Sequence, residues 1–156
     1  ETSSSDDVWL SGQPYLKSVS DPYCLTSRNA TWQKSLSFDQ WVSYLRKSGF
    51  TGKVDDPSVF SFLQESRQAN YKTGSFTMPL RTIRSDLKLR SSFFSVFVKG
   101  DSILVKGRGY GHGVGLCQEG AMMMAVKGFN WLEIINFYYS GVITSDIKNA
   151  VILTTK

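Results

Sequence analysis

The chain has 156 residues, 41% hydrophobic and 20% charged, with a net charge of +5 and a pI near 9.3. That length suits one domain with a real core, and no apolar run reaches the roughly 20 residues that cross a bilayer. The positive balance favours an anionic setting such as cell wall, membrane surface or nucleic acid. The basic residues are scattered, however, and no helix-turn-helix, zinc-finger or RNA-binding signature accompanies them, so no nucleic-acid partner is expected.

In chain order, "ETSSSDDVW" reads as a surface turn rather than a start, as in a protein cut after export or an excised fragment, and no stretch of these residues reads as a signal peptide. Residues 1–31 are turn-rich, with "GQPY" and "SDPYC" as proline-centred turns. "ATWQKSLSF" reads as a short strand. A helix follows, capped by Ser37 with Gln40 completing a capping box and Gly49 stopping it; Trp41, Val42 and Leu45 form its inner face. Asp56-Pro57 predicts another helix, with Val59, Phe60 and Leu63 turned inward. "NYKTGS" reads as a loop, and Pro79 opens a helix in which Leu80, Ile83 and Leu87 share a face. The dense basic run "LRTIRSDLKLR" fits the solvated side of that helix.

The period then changes to two. "SFFSVFVKGDSILVKGRG" predicts a hairpin turning at Lys99-Gly100-Asp101-Ser102. A helix from about Leu116 to Val126 ends at Gly128, Asn130 and Glu133 cap the next, and "NAVILTTK" reads as a final strand. Helices with a minority of antiparallel strands in this order predict an α+β fold, the helices packed on a small antiparallel sheet.

Between hairpin and helix lies "KGRGYGHGVGLCQEGAMMMA", which holds the only histidine and five glycines within residues 107–115. Taken as extended, this stretch puts Arg108, Tyr110, His112 and Val114 on one side and bare backbone on the other. Bare backbone admits a closely approaching ligand, and the following helix turns its free N–H groups toward the same place. No nucleotide-loop pattern is present. Histidine suits either acid/base work or orientation of a substrate, and a structural histidine pinning the loop is the plainer alternative.

For Cys117 and Cys24 four roles stay open: a nucleophile at Cys117 with His112 as base, a zinc site with His112, a disulfide, and buried thiols. Glu119, the only carboxylate in the stretch, is either an acid or a first-turn glutamate favoured by the helix dipole. Tyr15 and Lys17, around a proline turn, could meet a polar ligand. The methionine run and Tyr138 and Tyr139 read as packing.

"GRGYGHGVGLCQEGAMMMA", together with "FYYSGV" downstream and "VWLSGQPYLKSVSDPYC" upstream, resembles the SpoIID/LytB family of sporulation and amidase-enhancer proteins. The resemblance implies an extracytoplasmic cell-wall protein, in the periplasm or envelope. Characterised members are lytic transglycosylases that cleave the MurNAc–GlcNAc bond of denuded glycan strands to 1,6-anhydro-MurNAc products; others enhance peptidoglycan amidases.

The family's acid, the glutamate of an E-M-P segment, and its A-A-R-T-Y motif are not in this sequence. Residues 1–156 are therefore expected to be a single domain of this type lacking the upstream part with the acid. Carried over by motif, Tyr15, Lys17 and His112 take supporting catalytic roles, with Glu119 as a substitute acid. Arg108, Tyr110, Gly111, Gly113 and Gln118 line the glycan site. Some members bind zinc through cysteines and a histidine near the absent segment. Without those ligands no metal or other cofactor is expected here, zinc being the one alternative the cysteines leave open.

Expected partners are peptidoglycan glycan strands and a cell-wall amidase. Three readings stand in order: part of a glycan-cleaving enzyme, a non-catalytic glycan-binding or amidase-activating module, and a cysteine hydrolase.

Overall fold

The computed structural model describes residues 2–5 and 12–145. The final strand expected at 149–156 lies outside the described residues. The first strand, β1 (Thr31–Ser37), runs straight into α1 (Phe38–Lys47). Both halves of the expected capping box are made there: the Ser37 side chain accepts from the Gln40 N–H, and the Gln40 side chain accepts from the Ser37 N–H. Gly49, at φ +99°, ends the helix as expected.

β4 (Phe94–Lys99) and β5 (Ser102–Arg108) form the hairpin, and β1 pairs with the other edge of β5, giving an antiparallel sheet of order β1-β5-β4. Its inner face carries Trp32, Phe94, Val96, Ile103 and Val105, all buried. α2 (Leu80–Asp86) buries Leu80 and Ile83 in the same core.

α3 (Gln118–Val126) and α4 (Trp131–Tyr138) follow, the latter with the Asn130–Glu133 capping box in place. Met124 and Tyr138 are buried there, with Leu16 and Val114 also buried; all four stand outside the main core cluster. The glycine-rich stretch thus passes from the main core to this second, smaller apolar group. The architecture is α+β, as expected.

Two expectations fail. The helix predicted from Asp56-Pro57 is a single 3-10 turn, Pro57–Phe60. Asp56 caps it and Phe60 is fully buried, but Ser61 is extended and Phe62 pairs with Val96 at the sheet. Cross-strand bonding takes over where the helix would continue, leaving Val59 41% and Leu63 59% exposed. The "NYKTGS" loop is instead a hairpin of β2 (Asn70–Thr73) and β3 (Phe76–Pro79), turning at Gly74. Tyr71, Thr73 and Met78 point inward and are buried.

Tyr71 sits edge-on to Trp41 at 5.5 Å and to Phe62 at 5.4 Å, and its hydroxyl donates to the Phe60 carbonyl at 3.0 Å. Burial pushes this phenol up to about 12. Tyr44 and Tyr138 shift upward too, both mainly through burial and both beside an aspartate. An unfolded tyrosine loses its proton near pH 10 and these folded ones do not. Between those values the unfolded state binds fewer protons, so stability is intact below pH 10 and falls as pH rises toward 12. For Tyr71 alone the loss is about 2–3 kcal/mol. Urea midpoints measured from pH 8 to 12 are expected to drop in that window, less steeply in Tyr71→Phe; a flat profile contradicts the burial.

Candidate glycan-binding site

Arg108 is the last residue of β5 and pairs with Thr31 of β1. Lys106 lies between Gln33 and Ser95 on the neighbouring strands, and alternation puts all five on the face away from the core. With Phe97 they line an open groove of about 540 Å³. Its walls mix two aromatics, Phe97 and Trp32, with amide, hydroxyl, ammonium and guanidinium groups, a set suited to a ligand with both apolar faces and many hydroxyls. The Arg108 guanidinium lies 4.1 Å over the buried Phe93 ring, which Arg67 also faces at 4.7 Å. It donates weakly to the Gln64 and Glu65 carbonyls at 3.5 and 3.4 Å. The side chain is thereby held against the sheet, which lowers the entropy cost of using it on a ligand.

Beyond Arg108 the chain does not continue as a strand. Gly109, Gly111, Gly113 and Gly115 have φ between +72° and +78°. A left-handed residue at every second position breaks the period-two alternation. Arg108, Tyr110 and His112 are exposed, but Val114, expected on their side, is 8% exposed and packs inward.

Neighbouring backbone holds this irregular run. The Gly109 N–H donates to the Ala30 carbonyl and the Gly111 N–H to the Arg90 carbonyl. The Trp32 indole N–H donates to the Gly109 carbonyl at 3.1 Å and to Ser91 Oγ at 3.2 Å, and Ser91 Oγ donates to the Arg108 carbonyl at 2.6 Å.

His112 Nδ1 accepts the Val114 N–H at 3.0 Å. In the neutral ring that bond leaves the proton on Nε2. A ring in that tautomer has its acceptor nitrogen already engaged, which fits an orienting role better than proton abstraction.

The opening serines do more than form a surface turn. Thr2, Ser3 and Ser5 are buried. Ser3 N–H donates to the Gly113 carbonyl at 2.7 Å and Ser3 Oγ to the His112 carbonyl at 3.3 Å. Two residues on, the Ser5 N–H donates to the Leu16 carbonyl, and Ser5 Oγ accepts the Gln13 N–H at 2.7 Å. One short segment thus bonds to the glycine run and to the turn that carries Tyr15 and Lys17. Tyr15 occupies the middle of that turn, closed by Leu16 N–H to the Gln13 carbonyl, and Tyr15 and Lys17 are exposed. Leu16 is buried beside Gly115. Sequence reasoning missed Thr2, Ser3 and Ser5 because a polar run reads as solvated; four consecutive hydroxyl residues, 2–5, carry no alternation that marks an inward side.

Gln118 begins α3 and is exposed. Glu119, in its first turn, accepts from Asn29 Nδ2 at 2.7 Å and so ties the 24–30 loop to the helix. Cys117 is the residue before α3 and makes no side-chain cap bond. Its close donors are Asp21 and Cys24, a group to which His112 does not belong. The two thiols are free.

No family model matches the sequence. The chain is similar to stage II sporulation protein D of Bacillus subtilis, 32% identical over 149 residues, or 93% of this chain and 42% of that protein. The stage II sporulation protein D of Bacillus amyloliquefaciens is 30% identical over 145 residues, 93% of this chain and 42% of the relative. The amidase enhancer of Bacillus subtilis is 25% identical over 193 aligned positions, 90% of this chain and 27% of that protein. The chain thus spans less than half the length of these relatives.

Proposed function

Since the chain belongs to the SpoIID/LytB family, we propose that it is the glycan-holding part of a peptidoglycan lytic transglycosylase working outside the cytoplasm. The observation that carries this reading is the groove on the outer sheet face running to Arg108, where the glycine run begins. Described backbone at Gly109 and Gly111 has open space where a side chain would stand, which suits a flat sugar chain lying close. Arg108 meets acetamido carbonyls or the lactyl carboxylate of MurNAc, and the exposed Tyr110 meets hydroxyls, with His112 beside it.

In such cleavage the MurNAc C6 hydroxyl attacks C1, and the GlcNAc O4 leaves with a proton from a carboxylic acid. The carboxylate takes up the hydroxyl proton, and no water is consumed. This chain binds and orients; the acid comes from another part of the protein. Glu119, already engaged by Asn29, is not assigned that role.

Denuded glycan strands are expected to bind this chain and to show no anhydro-MurNAc ends by mass spectrometry. Such ends would make the chain self-sufficient and return Glu119 to the role of acid; absence of binding would overturn the reading. Arg108→Ala is expected to weaken binding roughly ten- to a hundredfold, the worth of a charged hydrogen bond, checked by pull-down of labelled strands with folding verified by circular dichroism.

The likeness to an amidase enhancer favours a second reading, a non-catalytic module that stimulates a cell-wall amidase. Under it, Arg108→Ala and His112→Ala lower amidase stimulation, whereas in the longer protein they leave no glycan cleavage to lose.

A further inference from the structure

Asp21, Cys24 and Cys117 come from two distant parts of the chain, yet one ligand atom of each lies within 4.8 Å of the others. Asp21 is 3% exposed and the cysteines are half-buried. The carboxylate is aimed: Oδ1 accepts the Tyr23 N–H at 2.9 Å, and Oδ2 accepts the Tyr138 hydroxyl at 2.8 Å. Both bonds leave each oxygen a lone pair, and this is how protein groups fix a coordinating carboxylate. The cysteine sulfurs are little engaged otherwise, with Cys24 Sγ 3.6 Å from the Asp21 carbonyl.

We propose that Asp21, Cys24 and Cys117 bind a divalent zinc-class cation, with water completing the tetrahedron. Sulfur donors select zinc over magnesium or calcium. Zinc bonds of about 2.0–2.3 Å set the donors of a tetrahedron roughly 3.5–3.7 Å apart, so the present group needs only small side-chain adjustments. Binding displaces the two thiol protons and leaves both sulfurs as thiolates. The site joins the 21–24 loop to the start of α3, two residues past Gly115, with Tyr138 of α4 holding the carboxylate. It takes up the zinc alternative that the cysteines left open, and it uses Asp21 where sequence reasoning offered His112. It does not rest on the glycan reading.

The test uses the chain reduced, stripped with a chelator and desalted. Titration with Co²⁺ is expected to give the thiolate-to-cobalt charge-transfer band, saturating at one metal per chain. Zn²⁺ is expected to displace the cobalt, raise Tm by several degrees and shield both thiols from maleimide. Cys117→Ser should abolish the band. Tyr138→Phe keeps both sulfurs and should weaken affinity about ten- to a hundredfold. Unshielded thiols with Zn²⁺ present, or a band that survives Cys117→Ser, overturn the proposal. So does a chain isolated with a Cys24–Cys117 disulfide that takes up no metal once reduced. Shielding is read on the unaltered chain, so it decides between the outcomes even where a variant does not fold.

Discussion

Gly107→Ala is expected to lower Tm by about 10 °C and to weaken the proposed glycan binding as well. The added Cβ would stand 2.1 and 2.2 Å from two atoms of the Trp32 ring, which lies flat against the bare backbone of β5. Trp32 is 9% exposed, packs against Phe94 at 6.2 Å and cannot swing outward cheaply. Overpacking costs roughly 1–3 kcal/mol, and displacing the indole N–H from Ser91 and Gly109 adds about 1–2 kcal/mol. At about 2–4 °C per kcal/mol for a chain of this size, the sum gives a shift of that order. Because the same indole holds the Gly109 carbonyl, the start of the glycine run loosens with it. Gly74→Ala is the control: nothing stands within 4 Å of its Cβ, so only the left-handed backbone penalty of about 1 kcal/mol applies. Equal melting curves for the two variants would show that Trp32 yields freely and that the packing argument is wrong.

Gly120→Ala sets two effects against each other. In the third position of α3, alanine gains roughly 1 kcal/mol of helix propensity over glycine. Its Cβ, however, would fall 2.2 Å from the Tyr138 hydroxyl and 2.3 Å from Asp21 Oδ2, between two groups that bond each other at 2.8 Å. Losing a buried hydrogen bond to a carboxylate costs about 1.5–3 kcal/mol, with overpacking of about 1–3 kcal/mol beside it. The clash wins, and net destabilisation of about 2–4 kcal/mol is expected by urea unfolding. Combined with Tyr138→Phe, which removes one of the colliding atoms and the bond itself, the loss should be less than additive. A stabilised Gly120→Ala protein would refute the close packing of α3 on the Asp21 loop.

Local signals were legible wherever a few adjacent residues decide the outcome. Ser37 with Gln40 and Asn130 with Glu133 each close their own reciprocal bonds, and Gly100-Asp101 suffices to turn β4 into β5. The Asp56-Pro57 start was equally readable, but the end of that turn depends on Val96, 34 positions from Phe62 in sequence. The β2–β3 hairpin was hidden by its shortness: each four-residue strand shows only two inward residues, Tyr71 and Thr73 in one and Phe76 and Met78 in the other. At the site, the glycine motif announced itself while its shape did not, because period-two reading assumes a strand and these glycines reverse the backbone at each step. Asp21 and Ser3 read as ordinary loop residues, since what makes them matter is contact with Tyr138 and Gly113, more than 100 residues away.

The glycine run also bears on handedness. At Gly109 and Gly111 there is room for a methyl group, yet φ is +72° and +78°. What weighs against an L-residue there is handedness rather than size: it is strained by about 1–2 kcal/mol, whereas the same φ is a relaxed value for a D-residue. The segment is a heterochiral backbone written in an alphabet with one achiral letter, alternating that letter with L-residues. Chemical synthesis with D-alanine at both positions is therefore expected to avoid the backbone strain that L-alanine would carry there, a strain that an encoded residue bears singly at Lys88, φ +51°.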